Sequence, residues 1–214
     1  MKILFNKYEG TGNDFIIINN TPRQINHNDN KHIAKLCDRR FGIGADGLIL
    51  VEERKGFDFE MVFFNSDGFP ATMCGNGGRC VSDYVMRTLT GRKKLEFLAA
   101  DGPHTAAPSG KDIDLSINDV KGLRVTDDGI FLNTGVPHLV CFRTNTESID
   151  ICAEARPVRF SQAYGPEGTN VNFVMVTPSG LTIRTYERGV EDETFSCGTG
   201  ATASAIASVA AGKI

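Results

Sequence analysis

Two short segments place a cysteine directly before closely spaced glycines, at points where a helix could begin. They are Cys74–Gly78 (CGNGG) and Cys197–Gly200 (CGTG). Glycine lets the backbone approach a ligand closely, and the free N–H groups of a helix N-terminus favour an anion such as a carboxylate. The positive end of the helix is also expected to favour the thiolate form of the cysteine. One such segment alone would more often be a buried cysteine before a turn, but two copies indicate a paired site.

Two thiols can invert a carbon stereocentre when they lie on opposite faces of it. One removes the α-proton as a thiolate and the other delivers a proton as a thiol, whereas a single base tends to return the proton to the same face. The two helix N-termini would stabilise negative charge that develops on a substrate carboxylate. This chemistry needs no electron-sink cofactor, and no pyridoxal-type lysine signature is visible. Cys74 and Cys197 are therefore predicted to invert a carbon centre without a cofactor.

The elements that would position these cysteines occur twice in the chain. A strand-like segment at residues 59–65, a polar loop and the first cysteine segment are followed by a potential helix. The same order recurs from a strand-like segment at residues 181–187 to the second cysteine segment. A fainter repeat pairs residues 10–15 (GTGNDF) with residues 168–173 (GTNVNF). We therefore expect two homologous halves, residues 1–117 and 118–214.

Local patterns predict further elements. Apolar runs bounded by Gly, Pro, Asn or Asp predict strands, at residues 15–18, 48–51, 59–64, 95–99, 171–176 and 181–186. One helix is expected to begin at residue 28 or 29 and to stop at Gly42, and a second is expected over residues 78–89. A third helix, over residues 200–211, has no charged residue, which predicts burial on all sides.

Composition and motifs exclude several classes of function. The 214 residues carry 23 Lys and Arg against 26 Asp and Glu, which disfavours a nucleic-acid partner. No apolar run could span a bilayer and no signal region is seen, so we expect a cytoplasmic protein without a membrane partner. The cysteines and histidines lack the spacing of a metal site. Residues 42–47 match G-x-G-x-x-G, but a helix precedes them and a strand follows, which is the reverse of a dinucleotide site. A non-catalytic dithiol module for redox sensing or metal transfer stays an alternative.

The chain resembles the diaminopimelate epimerases along its whole length. The resemblance is carried by residues 10–15, 42–47, 64–68, 73–80, 168–173, 186–190 and 196–200. It implies an α+β fold of two pseudo-symmetric domains, each a mixed β-sheet wrapped around a central helix. It also implies an isomerase that interconverts LL- and meso-diaminopimelate without cofactor or metal, a step toward lysine and peptidoglycan.

The resemblance further implies roles for individual residues. Cys74 and Cys197 would transfer the protons, and the backbone amides of four residues would hold the reacting carboxylate: Gly75, Asn76, Gly198 and Thr199. The other ammonium and carboxylate groups of the substrate would bind to Asn13, Asn65, Asn170, Glu187 and Arg188. The partner is thus a small amino acid, and the oligomeric state is left open, with a homodimer as one option.

The chain departs from the family pattern at a few positions. Gly47 stands where some members have Gln, and Val136 stands where an Asn is expected. Family members continue beyond the position of Ile214, so the second half is expected to be shortened at its C-terminus. A proline or hydroxyproline racemase is the alternative within enzymes, because it shares the paired-thiol chemistry. Those racemases resemble Cys-Gly-His-Gly at the first site, where this chain has Asn76.

Overall fold

The computed structural model describes residues 2–214 as two compact units. The first unit ends at Asn118, and the second is Asp119–Ile214. Each unit combines helices with one mixed β-sheet, so the predicted α+β class is confirmed. Among the described residues, no helix has the length and apolar character needed to cross a bilayer.

The first unit is built on a seven-stranded sheet within the described part of the chain. Its strands follow one another across the sheet in chain order. They are β1 (Asn6–Gly10), β2 (Asn13–Asn19), β3 (Gly47–Glu52), β4 (Phe59–Asn65), β5 (Leu95–Ala99), β6 (Gly102–Ser109) and β7 (Asp112–Leu115). The pairs β2–β3 and β4–β5 are parallel, and the other neighbours are antiparallel.

Helix α1 (Asn30–Cys37) connects β2 to β3. Its N-cap is Asp29, whose carboxylate accepts a hydrogen bond from the backbone N–H of His32. The helix ends at Cys37, so the predicted end at Gly42 is wrong. Asp38 has extended backbone angles, and its carboxylate accepts hydrogen bonds from the N–H groups of Arg40 and Phe41. This local turn competes with a further helical turn.

Helix α2 (Gly75–Tyr84) packs against strands from both ends of the first sheet, β1–β3 and β6–β7. A π-helical segment, Val85–Thr90, continues it and ends at Gly91, which has a φ of +68°. The helix begins three residues before the predicted Gly78, because Cys74 is its N-cap. A Cβ on Gly77 would lie 3.0 Å from Ile49 Cδ1, and one on Gly78 would lie 2.5 Å from Met73 Cε. Glycine therefore lets the helix start lie close to the core.

The second unit has a six-stranded sheet within residues 119–214. Its strands are β8 (Leu123–Val125), β9 (Ile130–Asn133), β10 (Pro137–Phe142), β11 (Asn170–Thr177), β12 (Gly180–Glu187) and β13 (Asp192–Thr194). The sheet order is β13-β12-β11-β10-β9-β8, and only the β10–β11 pair in this sheet is parallel. Helix α3 (Ile151–Arg159) connects β10 to β11, and helix α4 (Gly198–Ala210) follows β13.

Helix α4 is buried on one side only, so the prediction of burial on all sides is wrong. Ala203 and Ala207 are fully buried where the helix packs on β9–β12. Ala201, Ala205 and Val209 are exposed, and Val209 retains 63% of its accessible surface. Residues four apart lie on one helix face. The lack of charge on α4 reports its apolar character but does not say which face the sheet covers.

The internal repeat of the sequence corresponds to a repeated order of elements. In the first unit, β2 and β3 are parallel with α1 between them, β4 adds antiparallel to β3, and α2 follows. In the second unit, β10 and β11 are parallel with α3 between them, β12 adds antiparallel to β11, and α4 comes later. Each unit thus presents a cysteine-capped helix after the same set of strands.

Candidate active site

Cys74 and Cys197 occupy the same position in their own units, as N-caps of α2 and α4. The Cys74 sulfur accepts a hydrogen bond from the Gly77 N–H at 3.5 Å, and the Cys197 sulfur accepts one from the Gly200 N–H at 3.4 Å. Both cysteines have extended backbone angles and are half-buried. Each sulfur therefore lies among the free amides of a helix start, which favour negative charge.

The Cys197 thiol is nevertheless harder to ionise than an ordinary cysteine. Burial, and after it the nearby Glu187 carboxylate, raise the pKa of Cys197 to about 11. Hydrogen bonds from the Thr199 hydroxyl and the Gly200 N–H act in the opposite direction. The backbone hydrogen bonds of the helix start lower the pKa of Cys197, in the expected direction, but burial has the larger effect in the free protein. Desolvation outweighs the helix dipole here, and the residue is a thiol at neutral pH.

A buried polar chain leads to Cys197 from the sheet of the second unit. The Thr199 hydroxyl lies 3.4 Å from the Cys197 sulfur, and His138 Nε2 lies 3.0 Å from that hydroxyl. Asn172 Nδ2 lies 3.1 Å from His138 Nδ1. His138 and Asn172 are fully buried, and burial lowers the pKa of His138 to about 3. His138 is therefore a neutral imidazole.

His138 and Asn172 were not among the residues predicted to form the site. Asn172 lies within residues 168–173, which carry part of the family resemblance, and His138 lies two residues after Val136, where the chain departs from the family pattern. Asn172 is also the second asparagine of an Asn-x-Asn pair on β11, which alternation places on the same face as Asn170. That spacing was the available signal for Asn172.

The end of β12 carries two further predicted site residues. Burial raises the pKa of the half-buried Glu187, whose charge acts on Cys197. The next residue, Arg188, forms an ion pair with Glu167. Asn170 is 3% exposed, and its side chain accepts from the Arg188 N–H at 2.7 Å and donates to the Pro137 carbonyl at 3.1 Å. Asn170 thus holds the backbone that positions Glu187 and Arg188.

In the first unit, the structure brings Asn13 and Asn76 together at the start of α2. Asn76 Nδ2 donates to Asn13 Oδ1 at 2.7 Å, and Asn13 Nδ2 donates to Asp46 at 3.2 Å. The Asn76 side-chain oxygen accepts from the Thr11 hydroxyl at 3.2 Å and from Arg79. Because Asn76 follows Cys74 by two residues, these contacts link the β1–β2 turn to the cysteine-capped helix start.

Asn65 lies at the same end of the first sheet as Asn13, and it is exposed to solvent. It is paired with Gly47 in the register of β3 and β4, and Gly47 is paired with Phe15 of β2. Its backbone N–H donates to the Phe69 carbonyl at 3.0 Å, and its carbonyl accepts from the Gly68 N–H at 2.9 Å. The tight loop leaves the Asn65 residue exposed at the end of β4.

Both departures from the family pattern have a structural counterpart. A Cβ on the buried Gly47 would lie 2.5 Å from Phe63 Cε2 and 2.7 Å from the Phe64 carbonyl oxygen. The Phe63 ring therefore lies in the space that a side chain at position 47 would enter. The Val136 side chain cannot form a hydrogen bond. Its backbone carbonyl accepts one from the Thr134 N–H at 3.1 Å.

Comparison with known protein sequences gives a consistent result over most of the chain. The family model described as diaminopimelate epimerase matches residues 5–112 and 130–214. A diaminopimelate epimerase of Flavobacterium psychrophilum is 51% identical over 209 residues, covering 97% of this chain and 82% of the relative. One from Chlorobaculum tepidum is 41% identical over 218 residues, covering 96% of this chain and 83% of the relative.

Solved structures with low sequence identity share the fold. A PhzF-family phenazine biosynthesis protein of Bacillus anthracis matches with a TM-score of 0.69 at 14% identity, over 92% of this chain and 77% of that one. A hydroxyproline epimerase of Agrobacterium vitis matches with a TM-score of 0.63 at 13% identity, over 98% and 77%. These two likenesses concern the fold, whereas the sequence matches identify the family. With a cysteine-capped helix in each unit and these sequence matches, the chain belongs to the diaminopimelate epimerase family of isomerases.

Proposed function

We propose that this protein interconverts LL- and meso-diaminopimelate by moving protons between the substrate α-carbon and two cysteines, Cys74 and Cys197. The observation that supports these roles is the repeated cysteine N-cap, one at the start of α2 and one at the start of α4. One sulfur, as thiolate, takes the α-proton and becomes a thiol. The other, as thiol, gives its proton to the opposite face and becomes a thiolate. The balance leaves the inverted substrate and the two sulfurs in exchanged protonation states.

The raised pKa of Cys197 supports a starting role for this residue as the proton donor. Its pKa, raised to about 11, makes it the thiol, which is the form that delivers a proton. In the reverse direction it must act as the thiolate, because the same two groups serve both directions. The Gly200 N–H and the Thr199 hydroxyl are the donors that stabilise that thiolate.

The remaining site residues bind the charged groups of the substrate. The backbone amides at the two helix starts suit the reacting carboxylate, because free N–H groups there favour an anion. These are the amides of Gly75, Asn76, Gly198 and Thr199. Arg188 suits a second carboxylate through a two-pronged bond, and Glu187 suits an ammonium group. Asn13, Asn65 and Asn170 complete the proposed set as polar ligands or supports.

The test replaces each cysteine by alanine and follows the reaction in D2O. Cys74→Ala and Cys197→Ala are each expected to lose the interconversion of LL- and meso-diaminopimelate, measured by NMR. Cys152→Ala is the matched control, because this thiol lies in α3, contacts Asp192 and is not part of the start of α2 or α4. It should retain the activity of the unmodified protein. Full activity in either of the first two variants would overturn the proposal.

The same assay separates the alternatives that the sequence left open. A proline or hydroxyproline racemase would incorporate deuterium at the α-carbon of proline and not of diaminopimelate. A non-catalytic dithiol module would incorporate none into either amino acid. Residues 1–117 and 118–214 as homologous halves, a cytoplasmic location and a homodimer stay predictions from the sequence.

A further inference from the structure

We propose that Asn172 is a positioning residue that sets the direction of the hydrogen bonds leading to Cys197, so that the Thr199 hydroxyl donates to the Cys197 sulfur. Asn172 acts on that sulfur through His138 and Thr199, which link the two residues by three successive hydrogen bonds. The inference rests on the proposed role of Cys197 as a proton-transfer residue. It adds a residue that no resemblance or match assigned to the site.

The first step is the orientation of the Asn172 side-chain amide. Its Nδ2 lies 3.0 Å from the Leu139 carbonyl oxygen, and its Oδ1 lies 2.9 Å from the Thr185 hydroxyl. A backbone carbonyl can only accept a hydrogen bond, so the atom that faces it must be the amide nitrogen. Asn172 is fully buried, so no solvent contact competes with these partners. The orientation of the amide is thereby determined.

The second step is the tautomer of His138. The same Asn172 Nδ2 lies 3.1 Å from His138 Nδ1. An amide nitrogen can only donate, so Nδ1 must carry the lone pair. A neutral imidazole has one N–H, which must then lie on Nε2 and point to the Thr199 hydroxyl oxygen at 3.0 Å. His138 therefore donates to Thr199.

The third step is the direction of the Thr199 hydroxyl. Its oxygen accepts from His138 Nε2–H, so its own proton is directed away from His138. The Cys197 sulfur, 3.4 Å away, is the partner on that side, and a thiolate can only accept. The sulfur anion thus receives an O–H donor in addition to the Gly200 N–H. The opposite histidine tautomer would draw the Thr199 proton toward His138 and remove that donor.

A spectroscopic test reads the tautomer without any substrate. The protein is labelled with ¹³C,¹⁵N-histidine, and the His138 ring signals are assigned through scalar couplings to the backbone signals of the same residue. We expect ring shifts of the neutral Nε2–H tautomer at neutral pH. Shifts of the Nδ1–H tautomer, or of an imidazolium, would overturn the proposal. This measurement uses the unmodified protein, so it stands even where a variant fails to fold.

A second test measures the reactivity of the two thiols in Asn172→Ala. Losing one donor to a thiolate should slow alkylation of Cys197 about tenfold at a fixed pH below its pKa. Cys74, followed by mass spectrometry in the same sample, should react at its original rate. Thr185→Val is the matched control, because it removes the partner of Oδ1 and leaves Nδ2 held by Leu139.

The comparison of these two variants decides the proposal. An equal effect of Asn172→Ala and Thr185→Val on Cys197 would overturn it, because a merely structural loss would affect both. Neither readout depends on epimerase activity. A failed proposal for Asn172 therefore leaves the proposed function intact, and a failed epimerase assay leaves the tautomer and alkylation results meaningful.

Discussion

The Arg188 guanidinium forms an ion pair with the carboxylate of Glu167. The two partners differ in environment, since the Arg188 side chain is 17% exposed and the Glu167 side chain is 79% exposed. The proposed function assigns the same guanidinium to a carboxylate of the substrate. In the free protein, the Glu167 carboxylate therefore pairs with the guanidinium that the proposed function assigns to the substrate, so a substrate carboxylate would compete with it.

Removing that competitor should strengthen substrate binding. Glu167→Gln is expected to lower KM about two- to fivefold, the factor that corresponds to the ~0.5–1 kcal/mol of an exposed ion pair. The turnover number should stay unchanged. Glu154→Gln is the matched control, because Glu154 is an exposed partner of a different arginine, Arg143. An unchanged or higher KM in Glu167→Gln, measured by steady-state kinetics, would contradict the expectation.

The buried neutral His138 predicts a loss of stability in acid. Its pKa is about 3 in the folded protein against 6.5 for an ordinary histidine. Between these values the unfolded chain binds more protons, so this residue makes the free energy of unfolding fall as the pH falls below 6.5, by about 1.4 kcal/mol per pH unit. The stability difference between the unmodified protein and His138→Gln should therefore shrink from pH 7 to pH 5. Urea unfolding at each pH measures it, and a constant difference would contradict the prediction.

His104 should show the opposite dependence on pH. Burial opposes its charged form, but hydrogen bonds to the Asp101 carboxylate and the Ser116 carbonyl raise its pKa overall. The stabilisation from the charged form is present below the unfolded value of 6.5 and is lost as the pH rises through the higher folded value. The stability difference between the unmodified protein and His104→Gln should thus grow as the pH falls from 8 to 6. A difference that shrinks over this range would show the wrong sign.

Two alanines on α4 should differ sharply in their tolerance of a larger side chain. Ala203 is fully buried against the sheet, so Ala203→Leu should lower the free energy of unfolding by about 1–3 kcal/mol through overpacking. Ala205 is exposed, so Ala205→Leu should change it by less than about 0.5 kcal/mol. Denaturant unfolding of this 214-residue chain measures both. Similar losses in the two variants would mean that the exposed face of α4 is covered.

Position 47 should not accept a side chain in this protein. Gly47→Ala places a Cβ against Phe63 and the Phe64 carbonyl, and should cost about 1–3 kcal/mol of unfolding free energy. Truncating Phe63 in the same chain should not fully restore stability, because the backbone oxygen of Phe64 stays in place. Gly122→Ala is the control, since nothing lies within 4 Å of a Cβ there. A neutral Gly47→Ala in thermal or denaturant unfolding would contradict the assignment.

Local patterns predicted β2 to β5, β11 and β12 closely, but they gave no strand for β1, β6, β8, β9, β10 or β13. The apolar run at residues 59–64 corresponds to Phe59–Asn65, and residues 95–99 coincide with Leu95–Ala99. These segments are bounded by turn residues and filled with apolar or β-branched side chains, so their structure is a property of neighbouring residues. The helix ends were predicted less accurately. The start of α2 depends on the Cys74 cap and the end of α1 on the Asp38 turn, which hydrophobic periodicity does not report.

The sequence by itself determined the repeated cysteine segments, the order of elements around them and the membership that the matching motifs indicate. Tertiary structure alone decided that α4 keeps one apolar face exposed, that Cys197 is a thiol at neutral pH, and that His138 and Asn172 connect to it. The physical reason is that burial and hydrogen bonding are properties of residues far apart in the chain. Cys197 and His138, for example, are linked through the Thr199 hydroxyl where β10 packs beside α4.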